Sequence, residues 1–409
     1  MVWLFPLTST LIICNFEVPP ELCLTKKTIN MKKSIVFIVI FIMAVMFNNC
    51  QKAELDQSAD SDVKTHLENL SSRISIKDYA DEHFNRTIEY HRTRLSKLGV
   101  DATRSSMHNI IVPDDFLTIQ EAIDAACDNA TIIVKPGVYV EEVFVYKPGL
   151  KIIAQSENCN DVTLYGNFLL DSSPDTEFNA DNVKIKNFNI VVEYAMLSGI
   201  WAKFVTGGEI KQNCISGDGL WCILGESCKD LFIQKNHVSQ FVEGIVVGSL
   251  IPGSQCSNNT IINNTITEVS YGIELAGNSA NNMINGNKIN AGNEKYGVAV
   301  AIVLWGYEEL EPYNNIIKNN QCNYIFPGDI PSFGIWLDKG GSNNNSGSNN
   351  TIGPNNVCNY NDWGIYLDEG ATDNYVFNNT ALYNTDWDIY NLGTGNTFKN
   401  NKAEKTFGF

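Results

Sequence analysis

Two aspartates close near-identical segments, Gly334-Ile335-Trp336-Leu337-Asp338 and Gly364-Ile365-Tyr366-Leu367-Asp368. If these are successive copies of one strand, the carboxylates stand side by side, about 4.8 Å apart across a strand pairing. Like charges that close raise a pKa or hold a cation. The spacing is compatible with the two carboxyls of a retaining glycosidase, about 5–5.5 Å apart. It equally suits Ca2+, which takes carboxylate and carbonyl oxygens, or a solvated pair in a repeated Leu-Asp-x-Gly turn. Lys339 and Glu369 follow the two aspartates, and Trp336 and Tyr366 precede them by two residues.

The elements that must position these groups are visible as a repeat. One unit reads N-x-I-x-x-N-x-I, a loop, then G-I-x-L. It occurs as NNTIINNTI (258–266) with YGIEL (271–275), NNMINGNKI (281–289) with YGVAV (296–300), and NNIIKNNQC (314–322) with FGIWL (333–337). It recurs as NNTIGPNNV (349–357) with WGIYL (363–367), and DNYVFNNTA (373–381) with WDIY (387–390). Looser copies precede these, and GNTFKNN (395–401) begins a last one. The second asparagine slot reads Phe188, Asn213, Asn236, Asn264, Asn287, Asn320, Asn355, Asn379 and Asn401, at steps of 22 to 35 residues. A period near 23 with loop insertions means one solenoid turn per unit. The strands are short, alternating and β-branched, with Asn or Gly at the turns. A leucine-rich repeat would carry leucine at fixed spacing and a helical stretch, and neither is present.

The expectation is an all-β solenoid in which Ile, Val and Leu stack inward. Each turn asparagine should satisfy backbone groups that the bend leaves unpaired. These residues resemble the right-handed parallel β-helix, or pectin-lyase-like, superfamily, in particular its PbH1-repeat and NosD-like branch, over about residues 110–409. The segment VPDDFLTIQEAIDAACDNATIIVKPGVYVEEVFVYKPGLKIIA (112–154) looks like the family's entry. There an amphipathic helix (Ile119, Ala122, Ile123, Ala126) caps the open core, which would otherwise present an apolar end and a bare edge. The resemblance implies fold, and function has to be argued from the site. The family's Arg-dependent catalytic patterns have no counterpart, because all five arginines precede residue 105. Of the polygalacturonase set only Asn384-Thr385-Asp386 matches. His237 is the only histidine in the region and sits beside the asparagine slot. Met and His are too scarce to support the copper handling associated with NosD-like proteins.

In G-I-x-L, the first and third residues after Gly face inward, so the second and fourth face out. The second position reads Trp201, Trp221, Val246, Glu274, Ala299, Trp336, Tyr366, Tyr390, and the fourth includes Lys203, Asp338 and Asp368. Tyr271, Tyr296, Phe333, Trp363 and Trp387 precede the glycine. Outward aromatics at coil spacing can stack on sugar rings or simply stabilise the sheet. Trp336, Tyr366, Tyr390, Trp201, Trp221, Glu274 and Glu369 are therefore the candidate ligand contacts. Asp338 and Asp368 are the candidate catalytic or Ca2+-binding pair.

The N-terminus reads as an address. Met31-Lys32-Lys33 opens a basic region, residues 35–47 are apolar, and Asn48-Asn49-Cys50 follows. This resembles a bacterial lipoprotein signal with Cys50 lipidated, although Phe47, Asn48 and Asn49 replace the usual small residues. Gln51-Lys52-Ala53-Glu54 resembles the surface-export signal of some Bacteroidetes lipoproteins. Residues 1–30 read as an upstream mis-start, 31–50 as the signal, 51–62 as a tether and 63–109 as a short helical segment before the β-helix of 110–409. Export permits disulfides. Cys228 and Cys256 both lie five residues before an inward isoleucine and should stack within bridging range; Cys127 with Cys159 is a second expectation.

The formal charge of −17 excludes a phosphate-tracking nucleic-acid binder. The sequence thus describes an exported lipoprotein, on the outer membrane at the cell surface or in the periplasm, whose β-helix binds a neutral glycan or an acidic one bridged by Ca2+. Two alternatives stay open: a glycoside hydrolase or polysaccharide lyase with a non-standard site, and a structural solenoid without a small-molecule site.

Overall fold

The structure, a computed structural model, describes residues 81–97, 107–192, 198–292, 298–307, 309–323, 331–339 and 346–409. The signal segment, Cys50 and Tyr296 lie outside them. The chain forms a right-handed parallel β-helix of about 11 turns. One sheet of 12 strands runs from Met107–Val112 to Thr397–Lys399, and 17 further strands build the other faces.

Register is set by what stacks in the core. Along the 12-stranded sheet Ile185, Ile210, Ile233, Ile261, Ile284, Ile317 and Ile352 pair in succession. On the opposite sheet Ile200, Ile223, Ile245, Ile273, Ile302, Ile335, Ile365 and Ile389 do the same. All of these are buried. Each isoleucine removed from water contributes about 1.5–3 kcal/mol, and a slip of one residue would turn the whole set outward.

The asparagine doublets have a backbone cause. The first Asn of a pair takes a left-handed conformation, as at Asn263 (φ 56°), Asn319 (φ 55°) and Asn378 (φ 51°), which Asn tolerates better than other non-glycine residues. The second is buried and joins a ladder. Asn264 donates its backbone N–H and its Nδ2 to Asn287 Oδ1 (2.9 and 3.0 Å), and Nδ2 also reaches the Ile233 carbonyl at 3.0 Å. The same bonds run from Asn213 through Asn236, Asn264, Asn287, Asn320, Asn356 and Asn379 to Asn401. The expected member Asn355 is corrected to Asn356; Asn355 is the left-handed partner at φ 64°. A second ladder, through Asn259, Asn282, Asn315, Asn350, Asn374 and Asn396, uses the first doublet of each unit. A shorter one, Asn361 to Asn384, ends on Asp388.

The entry coil is closed as expected. A short helix, Ile119–Ala125, is capped by Thr118 and Glu121 and buries Ile119, Ala122 and Ile123 over the core. The helix at residues 81–97 (α1) lies on the outer surface of the first coils. Phe84 packs on Trp201 with centroids 4.6 Å apart, and His91 stacks on Phe144 at 4.8 Å. Arg94 forks onto Asp124, and Arg92 Nε reaches Glu177 at 3.0 Å.

The cysteine expectations are corrected. Cys228 and Cys256 stack on adjacent coils, where Lys229 bridges Ser257, but both are free thiols. Burial pushes both thiols up, so thiolate attack is suppressed. The bridge is Cys159–Cys214, with Cα atoms 5.8 Å apart. Cys127 is free, and its Sγ lies 2.9 Å from His108 Nδ1.

Candidate functional site

The outward row at the second residue after the glycine slot can be followed through the whole molecule. Strand pairing gives Phe144, Leu169, Trp201, Leu224, Val246, Glu274, Val303, Trp336, Tyr366, Tyr390 and Phe407. Two coils depart from the expected register. Ala301, rather than Gly297, sits opposite Gly272, because Ile302 and Leu304 stack on Ile273 and Leu275. That moves Val303 into the row in place of Ala299. The shift is by four residues, and an even shift leaves the inward–outward alternation unchanged. In the earlier coil Ile223 stacks on Ile200, so Cys222 takes the glycine slot and Leu224 the outward one. Trp221 thereby precedes the slot; its Nε1 donates to Glu243 Oε2 at 2.8 Å.

The row falls into three zones. Over the first coils it is covered by α1, and Trp201 is 1% exposed. Beside it Lys203 Nζ lies 2.9 Å from Asp81 of α1 and 3.6 Å from Glu226. Neither Trp201 nor Trp221 is an open ligand contact, and Lys203 is held in ion pairs. Over the middle coils Ala276, Val300, Val303 and Trp305 form an apolar cluster outside the core, with Tyr271, Phe333 and Trp336 packed against it. Glu274 is buried there and accepts from Trp305 Nε1 at 2.7 Å, so it is no surface contact either.

The third zone is open. Trp336, Tyr366 and Tyr390 are half-buried, and Phe407 is 45% exposed. Trp336 meets Tyr366 edge-on at 6.2 Å, Tyr366 lies parallel to Tyr390 at 5.2 Å, and Tyr390 stacks on Phe407 at 4.8 Å. Coplanar rings at these separations would collide, so the rings overlap face to face. The ladder therefore offers mainly edges and phenol hydroxyls to a ligand.

Asp338 ends its strand and Asp368 directly follows the adjacent one, with Leu337 and Leu367 paired immediately before them. Both are buried, at 4% and 6% exposure, which corrects the solvated reading. Glu369 N–H donates to Asp368 Oδ1 at 2.9 Å, and Asp368 N–H donates to the Leu337 carbonyl at 3.0 Å. Burial raises the Asp368 pKa, and the Asp338 carboxylate adds to it. Burial and the nearby carboxylates also push the Tyr366 phenol up. Glu369 is exposed, and its Oε2 is 3.9 Å from Lys339 Nζ. Among the described residues no group of three or more His, Cys, Asp or Glu side chains is gathered to hold a metal. A Ca2+ ion here would take two carboxylates from Asp338 and Asp368 and the rest of its six to eight oxygens from carbonyls and water.

Arginine was missed as a feature of the β-helix, because the sequence places every one of them outside it. Arg92 and Arg94 return to its first coils on α1 through Glu177 and Asp124. Their spacing on an amphipathic helix was the available signal.

The chain matches the family model described as right handed beta helix region over residues 152–321. Among solved structures it is similar to ORF18 of Geobacillus virus E2, with TM-score 0.54 at 13% identity. That match covers 78% of this chain and 66% of the phage protein, so the chain spans about two thirds of that relative. It is also similar to DFA-IIIase from Arthrobacter chlorophenolicus A6 without its lid, with TM-score 0.48 at 12% identity, over 72% of this chain and 94% of that one. A further neighbour is the A-module of the mannuronan C-5 epimerase AlgE4 of Azotobacter vinelandii, with TM-score 0.49 at 12% identity, over 74% and 94%. At such identities the likeness is one of fold. No curated protein matches the chain significantly.

Proposed function

We propose that this protein is an exported lipoprotein that binds a polysaccharide along the outward face of its C-terminal coils. The observation that carries the reading is that Tyr366, Tyr390 and Phe407 stay partly open beside two buried carboxylates. Phe144 and Trp201 of that row are covered by α1, and Val303 lies in the outer apolar cluster. The chemistry fits a neutral chain of sugars. Carboxylate and phenol oxygens accept from sugar hydroxyls, and aromatic edges exclude water around those bonds. The acidic surface disfavours a polyanion without a bridging Ca2+. The anchor is Cys50, with surface or periplasmic placement following from the export signal.

A second reading has its own support. Retaining glycosidases need one carboxyl kept protonated and one ionised at short separation. Asp368 is raised by burial and by its neighbour Asp338, as that division of labour requires.

A glycan array probed with wild type and with the Trp336→Ala/Tyr366→Ala double variant tests binding. Retention by wild type and its loss in the variant is the expected result; no retention of any glycan by wild type leaves the solenoid as an interaction scaffold. Product-release assays on the retained glycans, repeated with Asp338→Asn, separate hydrolysis from binding.

A further inference from the structure

The surface that α1 covers has the composition of a sugar site. Asp171, Lys203 and Glu226 occupy one outward position on three successive coils, where Asp171 accepts from Ser173 and Thr176. Trp201 and Trp221 stand beside them, with ring centroids 5.8 Å apart. A mixed set of carboxylates, an ammonium and indoles is what hydroxyl-rich ligands require, and it is costly to bury against protein.

α1 fills this place incompletely. Phe84 lies on Trp201, and Asp81 meets Lys203. Yet Trp201 Nε1 and, on α1 itself, His83 Nε2 are buried with no hydrogen-bond partner among the described residues. An orphaned buried N–H is costly, and a sugar hydroxyl would relieve the indole. The remaining polar grips of α1, Thr87 on Glu142, Arg92 on Glu177 and Arg94 on Asp124, lie further along it. Only nine residues, 98–106, separate α1 from the first strand in sequence. A released α1 therefore stays close to the face it leaves.

We propose that Trp201, Trp221, Lys203, Glu226 and Asp171 form a second neutral-saccharide site, and that α1 is a hinged strap occupying it. Phe84 and Asp81 stand where the sugar would sit, so ligand and strap compete for one face. This rests on the glycan reading above for the class of ligand, and it concerns a separate set of residues.

The test uses the full chain and a Phe84→Ala/Arg92→Ala variant, with neutral oligosaccharides as probes. Hydrogen exchange should show loss of protection in α1 while the coils stay protected. Retention of at least one oligosaccharide should rise tenfold or more over wild type. Adding Trp201→Ala should cancel that gain, and adding Tyr366→Ala should leave it. If the coils also lose protection, Arg92→Ala alone replaces the double variant. An α1 that opens without a Trp201-dependent gain overturns the proposal. So does an α1 that stays fully protected in every variant and in wild type down to pH 4. A Trp201-dependent gain in a chain whose wild type retains no glycan would uphold this site and remove the C-terminal one.

Discussion

One sheet of this solenoid presents the same outward row at both ends, and the two ends treat it in opposite ways. In the first coils the row is sealed: Phe84 covers Trp201, His91 covers Phe144, and Lys203 is held between Asp81 and Glu226. In the last coils no described helix lies over it, and Tyr366, Tyr390 and Phe407 stack on one another instead. Outward aromatics at coil spacing are thus not by themselves a binding surface. Beneath α1 they are continuous with the core, and in the last coils they are half-open, beside paired carboxylates.

The sharpest way to break this contrast is truncation. Trp201→Ala should cost about 3–5 kcal/mol in urea unfolding, as for other buried aromatics. Tyr366→Ala should cost less than half of that while losing glycan retention. Equal losses would erase the distinction between sealed and open coils. The two lysines should separate next. Lys203→Met leaves Asp81 and buried Glu226 facing each other without their cation, and about 3 kcal/mol should be lost. Lys339→Met removes a 3.9 Å pair with an exposed glutamate and should stay within about 0.5 kcal/mol.

Acid should act on the sealed end. Burial, with Arg94 nearby, lowers the His91 pKa to about 4, and Asp124 opposes this in part. A depressed histidine contributes stability that is present above its unfolded pKa of about 6.5 and is lost as pH falls through the folded value. Exchange protection of α1, corrected for intrinsic rate, should therefore hold above pH 6.5 and fall toward pH 4. His91→Gln should flatten that profile. The smallest effect belongs to the open end and has the opposite sign. Asp368 is raised, so stability is lost as pH rises from the ordinary carboxylate range through its folded pKa. Asp368→Asn should raise the melting temperature at neutral pH, and the gain should shrink as pH falls into the carboxylate range.

The coils were legible because their causes are local. An isoleucine that must face inward recurs in every unit, and each Asn doublet carries its own turn. Legibility failed where stacking decided between equivalent local patterns. Asn355 and Asn356 are adjacent identical residues, and only the backbone assigns one to the left-handed turn and the other to the ladder. Tyr296-Gly297 imitates Tyr271-Gly272, but Ile302 and Leu304 take the core positions. Cys228 and Cys256 stack as expected and remain reduced, while the bridge joins Cys214, in a regular coil beside Asn213, to Cys159 in an irregular turn where spacing gives no guide. Of the candidate site, the adjacency of Asp338 and Asp368 and the half-exposure of Tyr366 and Tyr390 were readable; their burial, and the loss of Trp201, Trp221 and Glu274 to packing, were not.

The sequence alone determined a parallel β-helix, because repeated short-range choices (inward isoleucine, turn asparagine, capping helix) each point to the same fold. Only the tertiary structure decided which stretch of the outward row is open. That depends on where a helix from outside the repeat docks, and its amphipathic spacing says that it has a buried face without saying which surface will bury it.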